Sequence, residues 1–413
     1  MNKQIPQSWK LKDIPLKVRP PSLASANLLE KVFTGRESEL KTALLTLSGS
    51  LAKNIFIYGW FGIGKSALII EMLRQIQESI GKSTLITYVN LPQEATNLAS
   101  ISLIALARQM PNDYWAQQVL NNMGVPTQRM AVKKSATIGT EFAKAGEETL
   151  SPGSLVYPTI SFEDLVDRAL KKYERVIIAI DDLDKQDPSQ ARELMRSAQG
   201  ILKGKASFIL TGHPVGITRD IYTSELGLFD IHVELKPLSL ETMEQMLMRY
   251  LASARINNNT NWLKKLLRFS ESKSILDSEK IITPFTPDTF QELCKRSFGI
   301  PRYLNRLGQY VLTKACVLNV DCVTPDILEQ GLKYADEQVR SSIDPVQRQV
   351  IEMTLERGML SDDTITYEDL RRLNCHEFQE VLPILENLTK LDLLRRLDTD
   401  HGIEFGPSPL LWH

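Results

Sequence analysis

The segment GWFGIGKS, residues 59–66, constrains the fold of this chain more than any other feature. A strand-like apolar run at residues 55–58 precedes it, and a helix-like run at residues 67–73 follows it. The fixed positions of the phosphate-binding pattern GxxxxGKS are filled by Gly59, Gly64, Lys65 and Ser66. In such a loop, backbone N–H groups and a helix N-terminus point at a bound anion, while glycines allow its close approach. The segment therefore predicts a P-loop that joins a strand to a helix.

A P-loop predicts a site for ATP and Mg²⁺. We expect Lys65 to neutralise the β- and γ-phosphates and Ser66 to offer its hydroxyl to Mg²⁺. The residues predicted to bind the nucleotide along the loop are Gly59, Trp60, Phe61, Gly62, Ile63, Gly64, Lys65, Ser66 and Ala67.

Two aromatic residues, Trp60 and Phe61, stand side by side at the crest of this loop. Because a P-loop turns its backbone N–H groups inward, we expect both side chains to point outward without touching the phosphates. Two large rings left in water would form an exposed apolar patch. We expect the lid, the terminal domain or a neighbouring subunit to cover them. The alternative is that they pack against adjacent loops of the core.

Strand-like runs alternate with helix-like stretches through the first half of the chain. The runs are NIFIYG, TLITYVNL, RVIIAIDDLD, SFILTGH and IHVEL. This alternation predicts an α/β fold, the doubly wound parallel sheet of P-loop NTPases. The helical patterns that follow predict a helical lid. A final series of three helices and a hairpin predicts a winged helix.

The chain has 413 residues, enough for several domains. We predict a basic, proline-containing arm at 1–30, a P-loop ATPase core at 31–236, a helical lid at 237–340 and a winged helix at 341–413. An insertion is predicted at about 111–160, and its residues 128–153, which are rich in small and polar side chains, are predicted to be mobile. The arm is expected to be extended. It either touches nucleic acid or lies across its own domain through its apolar side chains.

Acidic residues follow the third predicted strand. Asp181 is expected to hold the Mg²⁺ that bridges the terminal phosphates, and Asp182 to orient the attacking water. Asp184 is either a further acid of this site or the cap of the next helix.

Three further polar residues are candidates for the site. Thr211 and His213 end the fourth strand, where they could reach the γ-phosphate or the water; alternatively, His213 satisfies a turn before a proline. Arg302 falls in the first turn of a predicted lid helix, where an arginine can grip a phosphate with two hydrogen bonds. The alternative for Arg302 is a solvated surface position.

These motifs together resemble those of AAA+ ATPases of the origin-initiator class, and also those of STAND signalling ATPases. The segments that carry the resemblance are FTGRESEL, GWFGIGKSAL, IIAIDDLD, ILTGH, LKPLSLETM and GIPRYLNRL. The resemblance covers residues 31–335 and implies an AAA+ core. It also implies that Phe33, Gly35 and Arg36 lie beside the adenine.

The resemblance assigns further roles by motif position. It implies that Arg302 is the sensor 2 arginine and that Thr211 holds the sensor 1 position. It also implies an arginine finger that completes the site of a neighbouring subunit, for which Arg219 is the candidate. At the position of Asp182, initiators usually carry glutamate, whereas aspartate is common in STAND proteins. At the position of Thr211, AAA+ proteins often carry asparagine. Because aspartate is one methylene shorter, we expect slow turnover and a switch rather than a motor.

Charge separates the possible functions. Residues 341–413 carry seven Lys or Arg and fourteen Asp or Glu, a net charge of −7 within a chain of net charge −1. Phosphate neutralisation supplies most non-specific affinity for DNA, so this domain is predicted to contact protein. We therefore predict an ATP-dependent switch that self-assembles or binds a protein partner. The alternative is a DNA-binding regulator of the initiator or transposition type that uses its arm or core. A metabolic kinase is disfavoured, because it needs neither lid helices nor a winged helix.

Two features bear on the environment of the protein. No window approaches eighteen apolar residues, and the first ten residues lack the apolar run of a signal peptide, so we expect a cytoplasmic protein without a membrane partner. The four cysteines show no CxxC spacing, which favours reduced thiols over a metal site.

Overall fold

The structure of the chain is a computed structural model. It describes residues 5–17, 26–49, 51–80, 83–92, 95–125, 157–183, 186, 188–212, 227–256, 282–341, 343–391, 393–399, 402–408 and 411. The chain divides into two compact units. The sheet unit comprises Glu37–Gly59 and Leu68–Leu235; the lid unit comprises Met1–Arg36, Trp60–Ala67 and Lys236–His413.

Helices and strands alternate in the sheet unit, and helices dominate the lid unit. The helices in the described residues are α1 (Ala26–Val32), α2 (Glu37–Leu47), α3 (Lys65–Ile80), α4 (Leu98–Arg108), α5 (Tyr114–Asn122), α6 (Pro158–Leu170), α7 (Pro188–Ser197), α8 (Gln199–Leu202), α9 (Leu240–Ser253), α10 (Pro287–Arg296), α11 (Pro301–Val317), α12 (Pro325–Arg340), α13 (Pro345–Arg357), α14 (Tyr367–Arg372) and α15 (Phe378–Lys390). The strands are β1 (Ile55–Gly59), β2 (Thr84–Asn90), β3 (Arg175–Asp181), β4 (Ser207–Gly212), β5 (Ile231–Leu235), β6 (Leu394–Thr399) and β7 (Gly402–Pro407).

The sheet unit is built on a parallel sheet, and the α/β fold class is confirmed. Strands β1 to β5 correspond to the predicted apolar runs and lie in the order β2-β3-β4-β1-β5. Each neighbouring pair is parallel. Isoleucine, valine and phenylalanine dominate these strands because β-branched and aromatic side chains fit a pleated surface. The central strands β3 and β4 are almost completely buried.

Strand order determines where polar residues at the strand ends meet. Because β4 pairs in parallel with both β1 and β3, Gly59, Asp181 and Gly212 lie at the same edge of the sheet. The P-loop follows Gly59 directly in the chain. The sheet therefore brings the carboxyl ends of β1, β3 and β4 together, at the edge where ligands of open α/β sheets bind.

Helix α5 lies inside the predicted insertion, before the segment 128–153 that is predicted to be mobile. Asp113 caps α5, its Oδ1 accepting a hydrogen bond from the Ala116 N–H at 3.0 Å. Trp115, Val119 and Leu120 are buried in the core of the sheet unit. Residues 114–122 are therefore part of the packed core. Residues 126–156 of the predicted insertion lie outside the described residues.

The N-terminal segment packs on the lid unit, which favours the second of the two interpretations of the arm. The Trp9 side chain is fully buried, and its indole N–H donates to the Val320 carbonyl at 3.0 Å. The Lys12 N–H donates to the Ala254 carbonyl at 2.8 Å. The structure also differs from the predicted extended arm at α1, which is helical from Ala26. The segment 5–17 therefore anchors by its apolar side chains, while Lys12 is exposed.

The terminal residues form three helices followed by a hairpin, in the order that the sequence predicts. Helices α13 to α15 and the antiparallel pair β6–β7 enclose a separate core that includes Val350, Leu385 and Phe405. Arg306 of α11 joins the lid helices to this domain, since its Nη1 donates to the Leu391 carbonyl at 3.2 Å. Leu391 caps the C-terminal end of α15, so the arginine lies where carbonyls lack helical partners.

None of the described helices is long and apolar enough to cross a membrane.

Candidate functional site

The Asp181 carboxylate, at the end of β3, is held by three hydrogen-bond donors. Its Oδ1 accepts from the Thr211 hydroxyl at 2.6 Å and from the Asp182 N–H at 2.9 Å. Its Oδ2 accepts from the Tyr88 hydroxyl at 2.8 Å. Asp181 is only 2% exposed. A buried carboxylate needs such partners, because burying an unpaired charge is costly.

Thr211 of β4 is fully buried, and its hydroxyl is engaged with the acid pair. It donates to Asp181 and accepts from the Asp182 N–H at 3.0 Å. The structure therefore places Thr211 as a brace between the ends of β3 and β4. Its sensor 1 role towards the γ-phosphate stays a prediction.

Asp182 has a left-handed backbone, with φ of 68°. Residues other than glycine rarely adopt this conformation, and such residues concentrate at functional sites. Its N–H is shared by the Asp181 carboxylate and the Thr211 hydroxyl, which holds the backbone in place. The side chain is half-buried. The role of Asp182 in orienting water stays a prediction.

Tyr88 is a residue of this group that sequence reasoning missed. It lies in β2 opposite Ala179 of β3, two residues before the Asn90–Asp181 pair. Side chains two residues apart project from the same face of a sheet, so Tyr88 is a diagonal neighbour of Asp181. Burial, and then the negative charge of Asp181, raise the pKa of Tyr88 above its ordinary value. The hydroxyl therefore keeps its proton and acts as a donor.

The P-loop, in the lid unit, is closed by short-range bonds. The Ile63 N–H donates to the Trp60 carbonyl at 3.3 Å, and Lys65 Nζ donates to the same carbonyl at 3.3 Å. The Lys65 ammonium lies 5.4 Å from the centroid of the Phe61 ring, a cation–π distance. Lys65 is 7% exposed. The predicted phosphate-binding lysine is thus held by contacts with Trp60 and Phe61 of the same loop.

The contact with Lys65 corrects the expectation for one of the two aromatic residues. Phe61 does not simply point away from the phosphate-binding side of the loop, because its ring faces the Lys65 ammonium. Trp60 and Phe61 are both half-buried, so they do not form the exposed patch that free rings would make. A cation attracts the electron-rich face of an aromatic ring, which explains the position of Phe61.

The remaining loop residues have the geometry that a P-loop requires. Gly62 and Gly64 have φ of +75° and +110°, values that favour glycine. Ile63 is buried, and Ser66 lies in the first turn of α3. Ala67 follows it in the same turn. The loop therefore precedes a helix N-terminus, the arrangement that binds anions.

Arg302, the predicted sensor 2 residue, meets the P-loop through its backbone. It is the second residue of α11, and its N–H donates to the Gly62 carbonyl at 3.2 Å. A Cβ atom added to Gly62 would lie 2.6 Å from the Arg302 Cβ atom. Only glycine allows α11 to approach the loop this closely. The structure thus brings Arg302 to the P-loop; its contact with phosphate stays a prediction.

We expect Gly62→Ala to destabilise the lid unit by about 2–3 kcal/mol, because it combines a strained φ with overpacking against α11. The unfolding temperature should fall by roughly 5–10 °C for a unit of this size. Calorimetry of the purified variant measures both.

The matched control is Gly124→Ala. Gly124 has a similar φ of +76°, but among the described residues no atom lies within 4 Å of an added Cβ. This control isolates backbone strain, of about 1 kcal/mol. Equal losses in both variants would contradict a close contact between the P-loop and α11.

Arg36 is bonded to the backbone of the P-loop. Its Nη2 donates to the Ile63 carbonyl at 3.4 Å and to the Lys236 carbonyl at 2.5 Å, and the side chain is 6% exposed. It therefore braces the loop against the segment that leads into the lid. The resemblance implied only a position beside the adenine.

Phe33 and Gly35 belong to the same region of the lid unit. The Phe33 carbonyl accepts from Arg249 Nη1 at 2.6 Å. A Cβ at Gly35 would lie 2.2 Å from Thr242 Cγ2, so α9 packs directly on the glycine. The place of Phe33, Gly35 and Arg36 beside the adenine stays a prediction.

Three predicted residues lie outside the described residues: Asp184, His213 and Arg219. Their roles stay predictions.

Comparison with known proteins supports an ATPase core. A family model described as the AAA ATPase domain matches residues 32–203. This range contains the P-loop, Asp181 and Asp182. A search of curated protein sequences finds no match to the chain.

Several solved structures are similar to the whole chain. The Aeropyrum pernix Orc1 protein, solved in complex with DNA, is 15% identical, with 92% of this chain and 90% of that chain covered and a TM-score of 0.52. Cdc6p from Pyrobaculum aerophilum is 11% identical, with coverage of 98% and 96% and a TM-score of 0.44. The Thermotoga maritima RuvB Holliday junction branch migration motor is 16% identical, with coverage of 94% of each chain and a TM-score of 0.42.

The Orc1 comparison establishes a shared fold, and the family match covers the segment that holds the P-loop and the acid pair. Residues 32–203 of this chain match the AAA ATPase domain, which supports ATP hydrolysis as its reaction, and the chain shares the fold of the Orc1 protein.

Proposed function

We propose that this ATPase is a slow molecular switch whose nucleotide state controls self-assembly or the binding of a protein partner. The observation that carries the proposal is that the carboxyl ends of β1, β3 and β4 lie at one edge of the sheet. The P-loop follows β1, Asp181 ends β3, and β4 pairs in parallel with both strands. Parallel strands bring their carboxyl ends together, which supports one nucleotide site that uses both groups.

We assign each group a part in that site. Lys65 would neutralise the β- and γ-phosphates, and Arg302 would reach the γ-phosphate from the lid. Ser66 and Asp181 would hold Mg²⁺. Asp181 fits this role, because three donors fix its carboxylate and one lone pair on Oδ2 remains. When bound, Mg²⁺ would neutralise charge on the phosphate oxygens.

Slow turnover is proposed from the residue that would orient water. Asp182 is one methylene shorter than the glutamate usual in initiators, so its carboxylate would reach the water less well. A slow ATPase keeps its ATP-bound state long enough for that state to act as a signal.

A solution mass measurement tests the switch. Full-length protein should form a larger species with a non-hydrolysable ATP analogue than with ADP, because the ATP state would favour assembly. Arg219 is proposed to act across the new interface, as the family resemblance implies. A chain that stays monomeric with both nucleotides, and that captures no protein partner in the ATP state, would contradict the proposal.

The acidic terminal domain is proposed to be a winged helix that contacts protein. In α15, which would be the recognition helix, Glu380 is exposed and Glu386 pairs with Arg396 at 3.1 Å. Other arginines of the domain are also paired with acids, as in Arg372–Glu368 at 3.1 Å. These pairs reduce the positive charge that could meet phosphate.

We expect residues 341–413 alone, which have their own core, to bind duplex DNA weakly. Their net charge of −7 opposes phosphate contact, so the affinity should be no tighter than the roughly 10⁻⁴–10⁻⁶ M of non-specific binders. Fluorescence anisotropy with labelled duplex at physiological salt measures it. Sub-micromolar affinity would overturn the assignment.

A DNA-binding regulator remains the second candidate. It is supported by exposed Lys10, Lys12 and Lys17 on the N-terminal segment and by the Orc1 relative solved with DNA. In the mass measurement, a third sample with the ATP analogue and duplex separates the two functions. Assembly that requires duplex would favour the regulator.

A further inference from the structure

We propose that Tyr88 is a positioning residue for the metal-binding carboxylate of this ATPase. Nothing in the P-loop or Asp181–Asp182 motifs assigns it a role. The inference rests on the proposed function, since it concerns the site in which Asp181 would hold Mg²⁺.

The bonds around Asp181 carry the argument. A carboxylate has about four lone-pair sites. Within the described residues, Oδ1 accepts two hydrogen bonds, from Thr211 and the Asp182 N–H, and Oδ2 accepts one, from Tyr88. The lone pair that remains is on Oδ2. Oδ2, which Tyr88 holds, is therefore the oxygen that would be offered to Mg²⁺ or to a water in its shell.

The three donors differ in what they fix. Thr211 and the Asp182 N–H bind one oxygen from the β4 side and from the chain itself. Tyr88 binds the other oxygen from β2, on the opposite side of β3 in the sheet. With Tyr88 removed, Oδ2 would lose its only donor among the described residues. The carboxylate could then rotate about its Cβ–Cγ bond, and the lone pair would no longer have a fixed direction.

The ring of Tyr88 is half-buried on β2, and phenylalanine keeps that ring while it lacks the hydroxyl. Tyr88→Phe removes that single donor. Loss of an outer-shell partner typically costs about 10- to 100-fold in metal affinity. We expect the lower end, about tenfold, because Thr211 and the Asp182 N–H still hold Oδ1.

The experiment measures metal binding apart from turnover. Full-length protein is titrated with a fluorescent ADP analogue in EDTA and at increasing Mg²⁺, and Mn²⁺ binding to the ADP complex is followed by electron paramagnetic resonance. Tyr88→Phe should bind the analogue as wild type does in EDTA. Its Mg²⁺ midpoint and Mn²⁺ dissociation constant should rise about tenfold.

Tyr173→Phe is the matched control. Tyr173 is half-buried against the core of the sheet unit and lies before β3, at the other end of the strand from Asp181. Removal of the Tyr173 hydroxyl should leave the Mg²⁺ midpoint of analogue binding unchanged. The double variant Tyr88→Phe, Asp181→Ala should bind metal no more weakly than Asp181→Ala, because Tyr88 acts through that carboxylate.

Two outcomes would contradict the role of Tyr88, and a third would contradict the proposed function. An unchanged Mg²⁺ midpoint in Tyr88→Phe would overturn the inference, and so would loss of analogue binding in EDTA, which would make the hydroxyl a requirement of the fold. A wild-type chain that binds no nucleotide would instead remove the proposed function.

Discussion

Asp182→Asn is expected to lower the rate of ATP hydrolysis about 100-fold or more while leaving ATP affinity nearly unchanged. A positioned acid–base group typically contributes about 10²–10⁴-fold, and an amide cannot take a proton from water. Asparagine has nearly the same shape, and the two bonds made by the Asp182 N–H belong to the backbone. The left-handed φ of 68° is also tolerated by asparagine. Phosphate release and equilibrium binding measure the two quantities separately.

Asp167→Asn is the control for this change. Asp167 lies on α6 of the sheet unit, is 51% exposed and pairs with Lys205 at 2.8 Å. An exposed pair contributes little to stability, so this variant should hydrolyse ATP at the wild-type rate. A normal rate in Asp182→Asn would remove the assignment of the water-orienting acid.

Lys65→Ala is expected to weaken ATP binding by about 2–3 kcal/mol, or roughly 30- to 150-fold. The ammonium is the charge that the P-loop offers to the phosphates, and the pattern places it where a helix begins. Its position 5.4 Å from the Phe61 ring centroid and 3.3 Å from the Trp60 carbonyl already fixes it at the loop. Little entropy is then lost when phosphate binds. Isothermal titration with ATP measures the loss.

Lys53→Ala controls for the loss of a lysine near β1. Lys53 Nζ pairs with Asp230 at 2.6 Å, and this lysine precedes the strand that the P-loop follows. ATP affinity should be unaffected in that variant. Wild-type affinity in Lys65→Ala would show that the loop does not bind phosphate as proposed.

The parallel sheet was predictable because its signal is local. Continuous β-branched runs such as RVIIAID specify buried strands, and parallel pairing then places Gly59 and Asp181 at one edge. The signal for the start of α11 was also local. Gly299 and Pro301 stand just before Leu304, Leu307 and Val311, which form the buried face of the helix in the structure.

The contacts that hold the site were not predictable, because they depend on register and tertiary packing. Tyr88 reaches Asp181 only because β2 pairs with β3 in one register, and a shift by one residue would turn the ring to the other face. Arg36 is 27 residues from the Ile63 carbonyl that it binds, and 200 residues from the Lys236 carbonyl. No local pattern encodes either distance.

Helix α5 was missed for a different reason. Its nine residues are preceded by a capping aspartate, Asp113, and followed by residues rich in small and polar side chains. The cap and the spacing of Trp115 and Val119 were readable signals. The small and polar composition of the following residues, 128–153, outweighed them.

A single-turnover experiment tests the central claim most directly. Labelled ATP is mixed with excess full-length protein and Mg²⁺, and bound ATP, ADP and phosphate are measured over time in wild type, Asp182→Asn and Lys65→Ala. The account predicts conversion of bound ATP by wild type, bound but unconverted ATP in Asp182→Asn, and weak binding in Lys65→Ala. Equal rates of phosphate formation in all three proteins, or bound ATP that wild type never converts, would contradict it.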